Sequence, residues 1–363
     1  MQLTHLSILN YKNVEQTDLS FSPKINCFIG NNGMGKTNLL DAIYYLSFCK
    51  SFTNSIDMQN IRHDADFFVL QGAYQRGGSE ESVYCGLKRR QKKQFKLNKK
   101  EYERLSDHIG FLPLVIISPA DSALIREGSD ERRKLIDSVI SQYNKRYLTE
   151  LIRYNKALQH RNMLLKGDMN DALVYDIWED QLAEAGSYIY ETRKEFLSEF
   201  IPIFQSRFQY ITSGNETVSI AYQSQLADRD FREALQRSRE RDRIIGFTTV
   251  GIHKDDLEML LGDYPIKRVG SQGQNKSFLV SLKFAQFDFL KRASGLTPLL
   301  LLDDIFDKLD AQRVSRIISL VSGDAFGQIF ITDTNREHLD HLLNESGCEV
   351  NYFLVENGEV SVL

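Results

Sequence analysis

Residues 25–48, INCFIGNNGMGKTNLLDAIYYLSF, decide the fold class of this chain. Gly30, Gly35, Lys36 and Thr37 match the pattern G-x-x-x-x-G-K-[ST], with an apolar strand before it and an apolar-periodic helix after it. Glycines allow backbone N–H groups to curl around phosphate oxygens, and the N-terminus of the helix adds a favourable dipole. The stretch therefore predicts a nucleoside triphosphate site in an α/β fold.

Within this site, we expect Lys36 to reach the β- and γ-phosphates of ATP and Thr37 to bind Mg²⁺. The glycine-rich loop and the first helical residues are expected to surround the nucleotide. The residues of this predicted ATP site are Gly30, Asn31, Asn32, Gly33, Met34, Gly35, Lys36, Thr37 and Asn38.

A second motif, Leu299–Asp304, reads LLLLDD, an apolar run typical of a buried strand that ends in two carboxylates. Phosphoryl transfer needs an acidic Mg²⁺ ligand and a group that positions water. We expect Asp303 to bind Mg²⁺ and Asp304 to polarise the attacking water, as in a Walker B segment. An exposed Asp-Asp loop after a strand is common, so the motif indicates a Walker B segment only in combination with the phosphate-binding loop. The long interval between Lys36 and Asp303 indicates an inserted domain.

The pattern of residues changes twice along the chain. Residues 1–118 contain short β-rich runs, and residues 246–363 alternate strands and helices in the rhythm of a mainly parallel sheet. Between them, residues 119–245 show helical periodicity. We therefore predict an α/β ATPase head, with a parallel sheet around the loop and an antiparallel β lobe, interrupted by an inserted helical domain.

Two long amphipathic helices are predicted within the inserted domain. Apolar residues recur at helical steps from Glu131 to Lys166 and again from Val174 to Phe200. The turn-like residues from Gly167 to Asn170 separate them, so the two helices are expected to fold back as an antiparallel hairpin, a short projecting arm. The alternative is a plain helical subdomain with the same apolar stripe in its core.

The overall composition is that of an ordinary globular protein. The 363 residues include 45 Lys and Arg against 49 Asp and Glu, a net charge of −4, so a nucleic acid must be bound by a local basic patch. The four cysteines form no CxxC pair, which excludes a zinc ribbon and a disulfide framework. The N-terminus does not read as a secretory signal and the apolar runs are strand-sized, so we expect a cytoplasmic protein without a membrane span.

Residues 88–104, KRRQKKQFKLNKKEYER, form the main basic segment. Phe95 and Leu97 alternate with basic neighbours and Asn98 is turn-like, which predicts a β-hairpin with one charged face. Such a face could lie along DNA phosphates without reading sequence, and binding would then depend steeply on salt. The alternative is a solubilising edge strand protected by lysines. The candidate DNA-binding residues are Lys88, Arg89, Arg90, Lys92, Lys93, Lys96, Lys99 and Lys100.

A third motif, Ser271-Gln-Gly-Gln274, opens a predicted helix shortly before the Walker B segment. Alone it could be a polar helix cap. In this order and spacing the chain resembles the ABC-type ATPases, in which an LSGGQ-like signature loop precedes Walker B and a D-loop follows. The resemblance places the D-loop at Asp307-Lys-Leu-Asp310.

A wider set of motifs resembles the RecF family of SMC-like ABC ATPases from end to end of the chain. Thr53, Ile252 and Lys254 depart from the residues usual in that family, so arginine contacts at those places are not carried over. The matching stretches are Asn10–Asn13, GNNGMGKTNLLDAIYYLS, Ser118–Asp121, Gly128–Arg133, Gly251–Asp256, GSQGQNKS and LLLLDDIFDKLD.

The resemblance implies an ABC-type head with a short helical arm. It implies an ATP-driven homodimer on DNA, in which Ser271, Gly273 and Gln274 of one copy complete the site that holds Lys36 and Asp304 of the other. A role in recombinational repair of gapped DNA, replication restart and SOS induction follows from it, with RecR and RecO as partners and slow, DNA-stimulated ATP hydrolysis.

Some alternatives stay open from the sequence. Another SMC-like repair ATPase with different partners fits most of the motifs, whereas an importer ATPase subunit or a small-molecule kinase fits fewer. His253 could contact nucleotide or a partner subunit, or could simply be satisfied by Asp255 or Asp256.

Overall fold

The computed structural model describes residues 1–167, 171–214, 216–306, 309–334 and 349–363. The chain forms two compact units, each assembled from separate segments of sequence. The first unit contains Met1–Asp121, Tyr210–Ser213 and Lys276–Leu363, and the second contains Ser122–Gln209 and Gly214–Asn275.

The strands belong to three sheets. They are β1 Gln2–Tyr11, β2 Val14–Ser20, β3 Ile25–Ile29, β4 Phe67–Arg76, β5 Ser79–Lys88, β6 Gln94–Leu97, β7 Lys100–Glu101, β8 Leu114–Ile117, β9 Val218–Gln223, β10 Asp256–Leu261, β11 Tyr264–Pro265, β12 Leu299–Asp303, β13 Ile329–Asp333, β14 Val350–Glu356 and β15 Glu359–Val362.

The helices vary widely in length. They are α1 Lys36–Phe48, α2 Ala123–Arg126, α3 Ser129–Tyr143, α4 Lys145–Lys166, α5 Ala172–Thr212, α6 Phe231–Ile245, α7 Ile266–Val269, α8 Gln272–Ser294 and α9 Ala311–Ser322. Among the described residues, no helix is both long and apolar enough to cross a lipid bilayer. The predicted helix near residues 336–343 lies outside the described residues.

The central sheet of the first unit has the strand order β15-β14-β3-β13-β12-β8. Its strands are parallel except β15, which pairs antiparallel with β14. All residues of β3, β12 and β13 are buried, as expected for the interior of a parallel sheet covered on both faces. The carboxyl ends of these strands share one edge of the sheet, and the register places Asp303 beside Thr332.

A second sheet of the first unit is antiparallel, in the order β2-β1-β4-β5-β6-β7. Its inward-facing residues, such as Leu6, Phe68 and Cys85, pack with helix α1 and with the central sheet in one apolar core. The predicted α/β head with a parallel sheet and an antiparallel β lobe is thus confirmed.

The second unit combines α2 to α7 with the small antiparallel sheet β11-β10-β9. The predicted boundary at residue 245 differs from this division. Strand β10 pairs with β9 along its length, from Asp256 opposite Gln223 to Leu261 opposite Val218. Residues 246–275 therefore belong with the helical unit and not with the C-terminal part of the head.

The helical insertion itself is confirmed, but both long helices were predicted with wrong bounds. The first is broken at Asn144, whose backbone is extended (φ −116°, ψ 97°) and whose side chain caps α4 by accepting a hydrogen bond from the Tyr147 amide. The second continues through Pro202 to Thr212. Buried Phe200, Phe204 and their neighbours continue the apolar stripe past the proline, and we attribute the persistence of the helix to this packing. Of the predicted turn Gly167–Asn170, Gly167 follows the end of α4, and the other three residues lie outside the described residues.

A buried ionic cluster joins three helices of the second unit. The Arg161 side chain on α4 is completely buried, and its guanidinium donates to Glu179 on α5 at 3.0 Å and to Asp242 on α6 at 2.7 Å. It also donates to the Thr248 hydroxyl at 2.9 Å and the Leu235 carbonyl at 3.1 Å. Such a fully bonded cluster fixes the helices relative to each other, since a buried charge without its partners is costly.

Candidate functional site

The phosphate-binding loop connects β3 to α1, and two of its glycines lie close against neighbouring groups. A Cβ atom on Gly30 would lie 2.2 Å from the carbonyl oxygen of Val355 on the neighbouring strand β14. Gly35 has φ of 111°, and a Cβ there would lie 2.5 Å from the side-chain amide of Asn13. A side chain at Gly30 would collide with the backbone of Val355, and one at Gly35 would meet the Asn13 side chain in a left-handed conformation that favours glycine.

Asn13 is a loop-supporting residue to which sequence analysis gave no role. It follows β1 and donates a hydrogen bond at 3.0 Å to the carbonyl of Met34 within the loop. Its side-chain oxygen accepts a hydrogen bond at 2.7 Å from the Asn38 amide on α1. The only signal for Asn13 in the sequence was its place in the Asn10–Asn13 motif. Its contacts with the loop could not be predicted, because they depend on packing between distant segments.

Lys36 lies within the loop that it is predicted to serve. Its ammonium donates to the carbonyl of Gly30 at 2.6 Å and to that of Asn31 at 2.9 Å. Burial lowers the pKa of Lys36, while the carboxylates of Asp304, Asp303 and Asp333 act in the opposite direction. The cation is thus held at the centre of the loop with carboxylates nearby.

Thr37 and Asp303 meet where helix α1 begins and strand β12 ends. The Thr37 hydroxyl lies 2.9 Å and 3.0 Å from the two carboxylate oxygens of Asp303. Burial raises the pKa of Asp303, and hydrogen bonds from Thr332 and Thr37 partly offset this. A hydroxyl and a carboxylate at the edge of an open loop are hard oxygen donors of the kind that Mg²⁺ prefers, so these residues fit that ion.

The neighbouring Asp304 has a left-handed backbone, with φ of 48°. Its amide donates a hydrogen bond at 3.0 Å to the hydroxyl of Thr332 on β13. The same hydroxyl donates at 2.8 Å to Asp303. Sequence analysis missed Thr332, since only the parallel pairing of β12 and β13 places it opposite Asp303.

These residues surround a cavity of about 250 Å³ that is lined by the loop together with Asp303, Asp304 and Thr332. Asn31, Asn32 and Gly33 of the loop are exposed and Met34 is half-buried. The structure therefore brings the predicted loop and the predicted Walker B residues into one site.

The predicted signature loop opens α8 and is exposed at its tip. Ser271 and Gln274 form a capping box: the Gln274 amide lies 3.2 Å from the Ser271 hydroxyl, and the Ser271 amide donates to the Gln274 side chain at 2.8 Å. The Gln274 side-chain amide also donates to Glu216. Ser271 is exposed and Gly273 half-buried, so the loop is both a helix cap and accessible to a second molecule.

Of the two predicted D-loop aspartates, Asp310 is exposed and caps α9 by accepting a hydrogen bond at 2.9 Å from the Arg313 amide. Asp307 lies outside the described residues.

The basic segment contains the predicted hairpin, β6 and β7, with Asn98 and Lys99 in left-handed turn conformations. Phe95 is buried beneath it. Lys96 is half-buried, with its ammonium 5.4 Å from the centre of the Tyr84 ring. The cations on the exposed surface are Lys88, Arg89, Arg90, Lys92, Lys99 and Lys100.

Lys93 differs from the other members of this predicted set. Its ammonium forms an ion pair with Asp57 at 2.6 Å and donates to the carbonyl of Cys49 at 2.6 Å. Only 10% of its side chain is exposed. The role of this lysine is to hold the hairpin to the head, and we remove it from the candidate DNA-binding residues.

His253 belongs to the packing of the second unit. Its Nε2–H donates to the Thr248 carbonyl at 3.0 Å, and its Nδ1 accepts from the Tyr154 hydroxyl at 2.7 Å. Burial lowers the pKa of His253 to about 4, so the ring is neutral near pH 7. It is satisfied by Tyr154 and Thr248 and not by Asp255 or Asp256.

The chain is similar to known proteins over nearly its whole length. Residues 2–352 match the family model of the RecF/RecN/SMC N terminal domain. The DNA replication and repair protein RecF of Phocaeicola vulgatus is 62% identical over 364 residues, covering 99% of this chain and 98% of the relative. RecF of Bacteroides fragilis is 61% identical, again over 99% of this chain and 98% of the relative.

Solved structures agree with the sequence relatives. A structure of the recombination mediator protein RecF-ATP in the RecFOR pathway has a TM-score of 0.89 and 30% identity, over 100% of this chain and 97% of that one. An Smc head domain from Pyrococcus furiosus, at 16% identity and a TM-score of 0.59 over 100% of this chain and 96% of that one, shares the fold. The chain therefore belongs to the RecF family of the RecF/RecN/SMC proteins.

Proposed function

We propose that this chain is an ATP-dependent, DNA-binding clamp of recombinational DNA repair and replication restart. The proposal rests on the contact between the Thr37 hydroxyl and the Asp303 carboxylate. This contact joins the two motifs that phosphoryl transfer requires. Membership of the RecF family supports the biological role, as does the likeness to a RecF-ATP structure.

Each residue of the site has a separate role in ATP binding or hydrolysis. The amides of the loop and the Lys36 ammonium bind phosphate oxygens, and Asp304 polarises the attacking water. Thr37 and Asp303 would hold Mg²⁺, which supplies charge neutralisation at the phosphates when bound. Asn13 supports the loop by donating a hydrogen bond to the Met34 carbonyl.

A homodimer would complete this site. The signature loop begins a helix of 23 residues, and its exposed Ser271 is available to a second copy. An oligomer of two identical chains with two-fold symmetry would place each signature loop over the triphosphate in the other copy, with Ser271, Gly273 and the helix N-terminus directed at the γ-phosphate. ATP would then hold the clamp closed, and hydrolysis would open it.

The exposed cations of the basic segment would contact DNA phosphates and position the duplex without reading its sequence. DNA bound in this way would favour the dimer and raise the rate of a slow ATP hydrolysis. RecR and RecO are the partners that we propose on the basis of the family, since the RecF structure compared above is described within the RecFOR pathway.

Dimerisation is tested by the mass of the protein in solution. ATP should double the mass of the wild-type protein, whereas Ser271→Arg should remain a monomer that still binds ATP, because the bulky cation blocks the signature loop and leaves the phosphate-binding loop intact. Light scattering during size-exclusion chromatography, with and without ATP and gapped DNA, measures this directly.

Ser198→Arg is the matched control for this experiment, since Ser198 is exposed on α5 in the same unit. It should dimerise like the wild type. A Ser271→Arg protein that doubles its mass with ATP would contradict the proposed composite site.

DNA contact by the basic segment is tested by the salt dependence of binding. The affinity for DNA falls as salt is added, and replacing both Lys92 and Lys100 by Ala should make this fall less steep. The slope of log affinity against log salt should decrease in magnitude by about 0.9 for each lost phosphate contact, because fewer counterions are released. The measurement is fluorescence anisotropy with gapped DNA at several salt concentrations.

The control replaces Lys134 and Lys194 by Ala. Both side chains are also exposed, and their replacement removes the same charge from another surface. An equal change of slope in the two double variants would show that net charge, and not the basic segment, governs DNA affinity.

A further inference from the structure

The hydroxyl of Thr332 bonds to two consecutive residues of the Walker B segment. It lies 2.8 Å from a carboxylate oxygen of Asp303 and 3.0 Å from the amide nitrogen of Asp304. Thr332 is fully buried, at the position of β13 directly opposite Asp303 in the parallel register. Its hydroxyl therefore contacts both the side chain of Asp303 and the backbone of Asp304.

We propose that Thr332 is a positioning residue of the nucleotide site, which sets the Mg²⁺-binding orientation of Asp303 and the water-facing position of Asp304 together. The proposal rests on the proposed ATPase function and extends it to a residue outside the recognised motifs.

The direction of each hydrogen bond follows from the groups involved. An amide can only donate and an ionised carboxylate can only accept, so the hydroxyl must accept from Asp304 and donate its single hydrogen to Asp303. Both bonds are satisfied at once only in this arrangement. The hydroxyl thus has no freedom to rotate toward another partner while Asp304 keeps its conformation.

Asp304 needs such support because its backbone is left-handed, with φ of 48°. A residue with a side chain is seldom found in this region unless surrounding contacts impose it. The bond from its amide to Thr332 is a contact of this kind. Without it, we expect the peptide between Asp303 and Asp304 to relax, and both carboxylates to move with respect to the loop.

Thr37 also bonds to Asp303, but it cannot replace Thr332. The Thr37 hydroxyl lies between the loop and Asp303 and is itself expected to bind Mg²⁺. A ligand of the metal must turn its oxygen toward the ion. Thr332 is then the hydroxyl that keeps the Asp303 carboxylate oriented, and outer-shell partners of this type are worth about 10–100-fold in metal affinity or activity.

The test compares Thr332→Val, which removes the hydroxyl at nearly constant shape, with Thr332→Ser, which keeps it. The affinity for a fluorescent ATP analogue is measured with EDTA and across a Mg²⁺ titration, and kcat and KM for ATP hydrolysis are measured separately. For Thr332→Val we expect about a tenfold increase in the Mg²⁺ concentration that gives half-maximal binding and about a tenfold loss of kcat, with affinity in EDTA within about twofold of wild type.

Thr332→Ser should recover both properties. Thr17→Val is the matched control, because Thr17 is a buried strand residue of the same unit away from the cavity, and its Mg²⁺ dependence should equal that of the wild type. Thr332→Val with normal Mg²⁺ dependence and kcat would overturn the proposal, as would a Thr332→Ser protein as impaired as Thr332→Val. A wild-type protein that neither binds nor hydrolyses ATP would instead overturn the proposed function itself.

Discussion

Replacing Lys36 by Ala is expected to lower ATP hydrolysis by about 10²–10³-fold, the usual loss when one preorganised donor to a developing negative charge is removed. The ammonium lies inside the loop, bonded to two of its carbonyls, with Asp303 and Asp304 near enough to influence its pKa. Nothing else in the loop carries a full positive charge. Release of phosphate under saturating ATP and Mg²⁺ measures the loss.

Lys134→Ala is a suitable control for the removal of one lysine, since its side chain is 72% exposed on α3. It should hydrolyse ATP at the wild-type rate. Lys36→Ala should also remain monomeric with ATP, because the phosphates that would bridge two copies are bound too weakly. Retention of most of the activity by Lys36→Ala would exclude the loop as the catalytic site.

The second large effect concerns stability. Arg161→Ala should lower the free energy of unfolding of the helical unit by about 3–5 kcal/mol, because it leaves Asp242 buried without its cation and leaves Glu179 paired with Arg239 alone. Trp178 is the only tryptophan of the chain, and it stacks on His160 of the same helix pair at 4.2 Å. Its fluorescence during urea denaturation therefore reports the unfolding of this unit.

Arg153→Ala provides the comparison on the same helix. Arg153 pairs with Glu150 and Glu184 at the surface, where such bridges are worth about 0–1 kcal/mol. If Arg161→Ala and Arg153→Ala unfold at the same urea concentration, the buried cluster does not hold the helices together in the way described.

Much of the nucleotide site could be predicted from the sequence, because its residues are consecutive. Local spacing and the preceding apolar strands are enough to identify the loop from Gly30 to Thr37 and the pair Asp303-Asp304. Their meeting at one sheet edge is explained by the structure, in which parallel strands align their carboxyl ends. Cores of strands and helices were also predicted well, since apolar periodicity is a local property.

The residues that were missed depend on pairing between distant segments. Thr332 has no motif of its own and acquires its position only through the register of β12 and β13. Asn13 reaches the loop only after β1, β2 and the central sheet have packed. The break at Asn144 was missed for another reason: an apolar stripe continues across it, and the capping signal of a single asparagine is weak beside that stripe.

The pairing of β3 has a consequence for how the protein is made. This early strand lies between β13 and β14, whose residues are separated from it by most of the chain. A ribosome releases the chain from its N-terminus, so the strand emerges long before either neighbour exists. The central sheet around β3 can therefore be completed only late in synthesis, and a product truncated before β14 would lack one of the two strands that flank β3.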